Sequence, residues 1–357
     1  MSGVFVRATA LASALGSELD AAAGRLLGEP STAQTLMGWP YRAIPVEDGD
    51  WGRRAQTIAR AVAMALRQSA DLRAERWAGL PCLVGSSSFS IGASEGDEPS
   101  LERPSAFCRM LAQCFGAGGP VIAMSTACTS GLSALHAALD LVEEGAFSDV
   151  LVLGVELSNR LTVAGFAGLQ LLSQTRARPC DRERDGMVLG EALGAVLVSA
   201  APAEWRVSAL AAGMDGESVT GPAPGGDAMA AMMRSAMDQA RWRPGDVDLI
   251  KLQAAGSQLS DLAEARAVRA LFTPPPMLAS LKGAIGHTLG ASGPAELALL
   301  LGALARGRVP PTWGYAVRDE QIGLAPSGGA AGDVRRVLFN LSGFGGSVMT
   351  LALERAG

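Results

Sequence analysis

Two stretches of the chain carry residue types that could do chemistry. In the first, Val121-Ile122-Ala123-Met124 reads as a short strand that runs into Ser125-Thr126-Ala127-Cys128-Thr129-Ser130-Gly131 and then turns into an amphipathic pattern through Leu132, Leu135 and Leu139. A thiol at such a turn faces the positive end of the following helix, a setting that lowers a cysteine pKa and favours the nucleophilic thiolate. From the segment alone, Cys128 reads equally as a buried structural thiol. In the second, Ser280-Leu281-Lys282-Gly283-Ala284-Ile285-Gly286-His287 places a lysine and a histidine in a Gly-rich run with Glu296 beyond it. Its plainest reading is a capped structural histidine. The chain has two histidines, His136 and His287, so general bases are scarce and a zinc site built on a histidine cluster is not expected. His136, two turns into the helix after Cys128, reads as core packing.

The elements that must position these residues alternate between strand-like and helical patterns. Val4 to Val6, Cys82 to Gly85, Val121 to Met124, Val150 to Val155 and Ala195 to Val198 read as strands, and the pattern through Ile58, Val62 and Leu66 as a helix. Near residue 200 a second pass begins. Met229, Met232, Met233, Ala236, Met237 and Ala240 have the spacing of a helix core stripe, followed by Trp242 and a strand Val247 to Leu252, which parallels the earlier order of helix, Trp77 and strand Cys82 to Gly85. The expected organisation is a duplicated α/β unit, residues 1–200 carrying Cys128 and residues 201–357 carrying His287 and Lys282. The Gly- and Pro-rich stretches 221–226, 274–276 and 326–332 read as turns, and none fits a phosphate loop or dinucleotide fingerprint.

Bulk properties fit a globular protein. Hydrophobic residues make up 48% of the 357 and charged residues 18%, enough to fill a large core and too apolar for disorder. A net charge of -5 argues against binding a nucleic-acid backbone. The N-terminus reads as a strand and turn better than as a signal peptide, and no run reaches the roughly 20 apolar residues a membrane span needs. A cytoplasmic location is expected. The five cysteines form no CxxC pair and are odd in number, so most are expected to be buried free thiols.

Four segments resemble one family. Thr126-Ala127-Cys128-Thr129-Ser130-Gly131 is similar to the nucleophile segment of β-ketoacyl-acyl-carrier-protein synthases, the thiolase-like condensing enzymes. Pro179 to Glu191 resembles the family's RPFDxxRDGFVxGEG segment, Ser280 to Gly293 with Glu296 its SxKxxxGHxxGAAGxxE signature, and Asn340 to Ser347 its NSFGFGGTN loop. The resemblance spans nearly the whole chain and implies a five-layer α-β-α-β-α fold built from two halves. It implies that Cys128 takes an acyl group as a thioester, that neutral His287 donates a hydrogen bond at the thioester carbonyl, and that Lys282 belongs to the surrounding charge network. The backbone N–H groups of Phe344 and Cys128 would form an oxyanion hole, with Gly343 and Gly345 permitting close approach and Phe344 gating the acyl pocket. Asp261, Glu296 and Asn340 would support the site. It further implies a dimer paired through the strand Val150 to Val155, no metal, and no cofactor beyond the phosphopantetheine arm of an acyl-carrier protein.

The sequence also departs from that family. Its decarboxylating members carry a histidine in a VEAHGTGTxxGD segment, which here reads Lys251-Leu252-Gln253-Ala254-Ala255-Gly256-Ser257-Gln258-Leu259-Ser260-Asp261. The histidine position falls on Ala255 and the loop before Asp261 is shorter. Ser342 replaces an aromatic residue, and the stretches Tyr41 to Trp51 and Phe89 to Pro104 are trimmed. Loss of a proton-handling group typically costs on the order of 10²- to 10⁴-fold in rate. Two functions are therefore expected. One is a chain-length-factor-like subunit of a type II fatty-acid or polyketide synthase, including those that make polyenes, paired with a complete ketosynthase as heterodimer or with itself. The other is an autonomous acyltransferase or non-decarboxylating condensing enzyme that uses a Cys128 thioester.

Overall fold

The computed structural model describes residues 3–28, 33–46, 49–96 and 103–356. Residues 47–48 and 97–102, within the two trimmed stretches, lie outside the described residues. Ten strands form the main sheet: β1 (Val4–Ser13), β2 (Cys82–Gly85), β3 (Val121–Met124), β4 (Asp149–Glu156), β5 (Ala192–Ser199), β6 (Trp205–Met214), β7 (Leu249–Lys251), β8 (Met277–Ala279), β9 (Arg336–Ser342) and β10 (Ser347–Arg355). Their order is 3-2-4-5-1 continued by 6-10-9-7-8, so the second five, read inward from the opposite edge, repeat the first with each number raised by five. The senses repeat as well: β2 is parallel to β3 and β4, β7 is parallel to β8 and β9, and the remaining pairs within each five are antiparallel. The two fives join where Val4, Phe5 and Val6 pair with Val207, Arg206 and Trp205.

Helices repeat with the strands. α1 (Trp51–Ala70), α2 (Pro104–Phe115) and α3 (Ser130–Glu143) in the first pass correspond to α4 (Asp227–Ala240), α5 (Gln258–Leu271) and α6 (Ser292–Ala305) in the second. α1 and α2 bury Ile58, Val62, Leu66, Phe107 and Leu111 against one face of the first sheet. α4 and α5 bury Met229, Met233, Met237 and Val268 against the outer face of the second, so the methionine stripe is core. Between the sheets lie α3 and α6, whose Leu132, Leu135, Leu297 and Leu300 share one core with Val150 and Phe339. The result is the expected α/β, thiolase-like α-β-α-β-α order of layers. α6 is apolar around nearly its whole circumference because every side of it is covered.

The central layer is close enough that backbones touch. A Cβ on Gly131 of α3 would lie 2.3 Å from Pro294 Cδ, and one on Gly194 of β5 would lie 2.2 Å from the Ala295 nitrogen. These contacts fix α6, and with it Glu296, against the helix that follows Cys128.

The strand expected to pair across a dimer axis has no free edge. β4 is bonded to β2 on one side and β5 on the other, and all eight of its residues are buried. Its continuous apolar run reflects an interior position in the sheet. The first five strands end instead at β3, which pairs with β2 alone and leaves Ile122 45% exposed. No described helix is long and apolar enough to cross a membrane.

Gly194→Ala puts a methyl group against backbone that cannot turn aside, and is expected to destabilise the protein by about 1–3 kcal/mol. Gly79→Ala, where nothing lies within 4 Å of the added carbon, is expected to stay within about 0.5 kcal/mol of the parent. Denaturant midpoints of the two variants check the difference; equal midpoints would contradict the close central packing.

Candidate active site

The segment that carries Cys128 leaves β3 at Met124 and makes a sharp turn. Ala127 takes a left-handed φ of 54°, uncommon for a residue with a side chain, and Cys128 follows it two residues before α3 begins. Hydroxyls hold the turn: Ser130 Oγ accepts from Thr126 N at 3.0 Å and donates to the Ala127 carbonyl at 2.6 Å, and Thr129 Oγ1 donates to the Thr126 carbonyl at 2.7 Å. The run of small residues in the sequence is what this turn requires.

The glycine loop after β9 comes down onto that turn. A Cβ on Gly343 would sit 3.0 Å from the Cys128 nitrogen, so a side chain there would have to push the turn aside by a few tenths of an ångström. Gly345, at φ 78°, donates to the Val219 carbonyl at 2.8 Å, and Gly346, at φ 83°, packs against Asp215. The loop delivers the Phe344 N–H to the Cys128 sulfur, where the N–H of Cys128 itself also points. Two converging backbone donors are the elements of an oxyanion hole. The Phe344 ring stacks on Phe166 with centroids 5.3 Å apart.

Burial overrides the helix terminus at Cys128. The thiol is 5% exposed, and loss of hydration pushes its pKa up to about 11, opposed by the Phe344 N–H and the charge of Lys282. The lowered pKa expected from the sequence is therefore corrected: the resting group is a thiol, and the donors around it become useful as negative charge develops. The other four cysteines are also free. Cys82, Cys108 and Cys180 are buried and Cys114 is half-buried.

His287 is fixed by its backbone, whose N–H donates to Val188 O at 2.7 Å and whose carbonyl accepts from Gly190 N at 3.1 Å. Its Nδ1 accepts from the Leu289 N–H at 3.3 Å and lies 3.3 Å from Ser292 Oγ, which leaves Nε2 to carry the proton. Burial, with Lys282 and Lys251 nearby, lowers its pKa to about 3. With its pKa lowered the ring is neutral and Nε2–H is available as a donor. His136 lies half-buried on α3.

Lys282 donates to Glu296 Oε1 at 2.5 Å, and both are fully buried. Glu296 holds a second lysine, Lys251 of β7, whose Nζ lies 2.6 Å from Oε2 and 3.9 Å from the centre of the Phe339 ring. This second lysine was missed as a site residue. The signal was present: an ionisable residue inside Leu249-Ile250-Lys251-Leu252, a run buried on both faces, needs a buried partner.

Ala255 stands in a loop shaped by two carboxylates of α5. Asp261 accepts from the N–H groups of Ala255 and Gly256, both at 3.0 Å, and from Cys180 N at 2.9 Å. Glu264 accepts from Gln253 N at 2.8 Å and Ala254 N at 2.9 Å. Asn340 donates to Glu264 at 3.3 Å and accepts from Thr350 Oγ1 at 3.0 Å, tying β9 to the same loop. Glu264 and Gln253 were not singled out from the sequence; Gln253 leaves Oε1 buried without a partner.

These segments meet at one narrow cavity of about 50 Å³, lined among others by Cys128, His287, Ala255, Gln253, Met187 and Phe344. It also reaches Ser342, the position expected to be aromatic, and Asp261. Lys282, Glu296 and Asn340 lie behind it. An apolar cluster of Val163, Leu172, Met187, Leu189 and Leu289 packs beside Cys128 and ends at Tyr41.

Two of these groups fix the response to acid. His287 resists protonation until about pH 3 while an unfolded histidine accepts a proton near 6.5, so its contribution to stability falls as pH drops from 6.5 to 3. Glu296, held at about 2 by its two lysines, adds a loss below 4.5. His287→Asn is expected to flatten the decline between pH 6.5 and 4.5 in urea titrations; a parallel decline would contradict a neutral buried ring.

The family model "Beta-ketoacyl synthase, N-terminal domain" matches residues 91–203, and "Beta-ketoacyl synthase, C-terminal domain" matches residues 205–316. The tetracenomycin polyketide synthase ketoacyl synthase alpha subunit of Streptomyces glaucescens is 35% identical over 276 residues, 71% of this chain and 64% of that protein. 3-Oxoacyl-[acyl-carrier-protein] synthase 2 of Mycobacterium leprae (strain TN) is 32% identical over 64% of this chain and 59% of its own length. The chain thus spans less than two thirds of the length of these relatives. A ketosynthase (ApeO) solved with its chain length factor (ApeC) from Xenorhabdus doucetiae superposes with a TM-score of 0.86 at 23% identity, covering 99% of this chain and 98% of that one. A β-ketoacyl synthase from Burkholderia phymatum STM815 superposes at 0.86 and 21%, covering all of both chains. The two family models together match more than half of the sequence, and the chain belongs to the β-ketoacyl synthase family.

Proposed function

We propose that this chain accepts an acyl group on Cys128 and acts as a chain-length-factor-like subunit beside a complete ketosynthase, without completing decarboxylative condensation itself. The observation that carries the reading is Ala255, which lines the same cavity as Cys128 and His287. Its methyl group can neither donate a hydrogen bond nor move a proton. No other histidine can substitute, because the chain's only other one, His136, lies on α3 and does not line the cavity.

Loading of Cys128 needs less. The sulfur attacks the thioester carbonyl of the carrier's phosphopantetheine arm, and the developing oxyanion is met by the N–H groups of Phe344 and Cys128, with His287 Nε2–H as a further donor. Collapse breaks the carbon–sulfur bond to the carrier, whose departing thiolate takes the proton that Cys128 loses. The exposed Met214, Val219 and Leu259, each next in sequence to a residue lining the cavity, give an apolar rim where a carrier protein would deliver that arm.

The retained donors around Cys128 also favour a second reading, transfer of the acyl group from Cys128 to another thiol such as coenzyme A. One experiment separates the two. The isolated protein is incubated with acyl-carrier and malonyl-carrier proteins and followed by intact mass. The expected result is an acyl adduct on Cys128, absent in Cys128→Ser, and no β-ketoacyl product. Efficient β-ketoacyl formation by the isolated chain would overturn the subunit reading. Rapid discharge of the adduct to added coenzyme A would favour the transferase.

Pairing with a second condensing-enzyme chain would use the open edge of β3, since an unpaired strand offers free N–H and C=O groups. Ile122→Lys on that edge is expected to weaken association at least about tenfold in sedimentation analysis, because it buries a charge at the contact. Unchanged association would move the interface elsewhere.

A further inference from the structure

Two buried ammonium groups on one buried carboxylate are unusual. Lys251, Lys282 and Glu296 are all without solvent exposure, and each lysine takes a different oxygen of Glu296. We propose that Lys251 is a positioning residue that sets the charge beneath Cys128 and His287: by holding one oxygen of Glu296, it prevents Lys282 from being fully neutralised, so that the Lys282 charge acts on the thiol. The inference rests on Cys128 being the reacting group.

The groups facing Lys251 are few. Glu296 comes from α6, Lys282 from the short helix Lys282–Ile285, Glu264 from α5, the Phe339 ring from β9, and His287 from the loop after Lys282. Glu264 is already bonded to the N–H groups of Gln253 and Ala254, and the carboxylate that Lys251 itself donates to is Glu296. Lys282 is in turn a charge that stabilises the Cys128 thiolate. Burial brings the Lys251 pKa down to about 7. As pH rises through that value, Lys251 loses its charge, Glu296 turns wholly to Lys282, and the pull on Cys128 weakens.

Alkylation of Cys128 by iodoacetamide, read by peptide mass from pH 5.5 to 10, tests this without relying on acyl transfer. Wild type is expected to react about three- to tenfold faster than Lys251→Met at pH 6, the equivalent of half to one pH unit in thiol ionisation, and the ratio is expected to close above pH 8. Lys251→Arg, which keeps its charge at every pH in the series, is expected to hold the faster rate above pH 8. Melting temperatures confirm that each variant is folded, and the arginine variant serves if the methionine variant is not. Coincident profiles, or a ratio independent of pH, would overturn the proposal, since a merely structural lysine would not give a difference that titrates. Acyl loading measured in parallel reports on the assigned function: loading that fails with a titrating alkylation ratio would sink that function and leave the role of Lys251 standing.

Discussion

Buried loops can exist only if their backbone N–H groups find acceptors, and in this protein carboxylates supply them. Glu156 at the end of β4 accepts from Ser87 N, Ser88 N and Gly290 N, each at 3.0 Å, joining the loop after β2 to the one that follows His287. Asp181 takes Ala316 N and Val317 N, both at 2.6 Å, and Glu191 takes Ile44 N and Ser158 N at 2.8 and 2.7 Å while Arg54 balances its charge. Asp261 and Glu264 do the same for residues 253–256. The loops at residues 87–88, 253–256 and 290 are held in this way, which explains how their non-helical, non-strand backbone lies buried, while hydroxyls hold the turn at Cys128.

Glu296 differs in taking a lysine ammonium on each of its two oxygens. With a lysine on each oxygen it is the buried counter-charge for both, so both lysines depend on it for burial. Its place on α6 is set by the contacts of Pro294 and Ala295 with Gly131 and Gly194, and those contacts also place α3 and the turn that presents Cys128. Packing of the central layer and electrostatics of the site are therefore one arrangement. A change that moved α6 would shift the Lys282 charge and Cys128 together.

Much of this was legible in the sequence, for physical reasons. The strand Val121–Met124 and the turn at Cys128 announce themselves by a change of period and a run of small residues, and the duplicated order of elements shows in the recurring helix, tryptophan and strand. Which strand lies at the sheet edge was not legible: Val150 to Val155 and Val121 to Met124 are both short and apolar, and only pairing with β2 and β5 separates them. The ionisation of Cys128 was also misjudged from local sequence, because burial comes from Phe344, Ala255 and Leu289, which are remote in the chain. Lys251 was visible as a charge in an apolar run, but nothing local said that its partner would be a glutamate already serving Lys282.

The loop around Ala255 owes its shape to its backbone and not to the side chain at that position. The backbone of residues 253–256 is tied at four consecutive N–H groups to Asp261 and Glu264. None of those bonds involves the side chain at 255, so the loop keeps its course whether that side chain is an imidazole or a methyl group. Asp261 and Glu264 thus hold the wall of the cavity formed by residues 253–256 independently of the side chain at position 255. Under the proposed function, thioester formation would draw on Cys128, Phe344 and His287 and decarboxylation on a side chain at position 255, and the two carboxylates hold backbone atoms that serve the first whatever stands at the second.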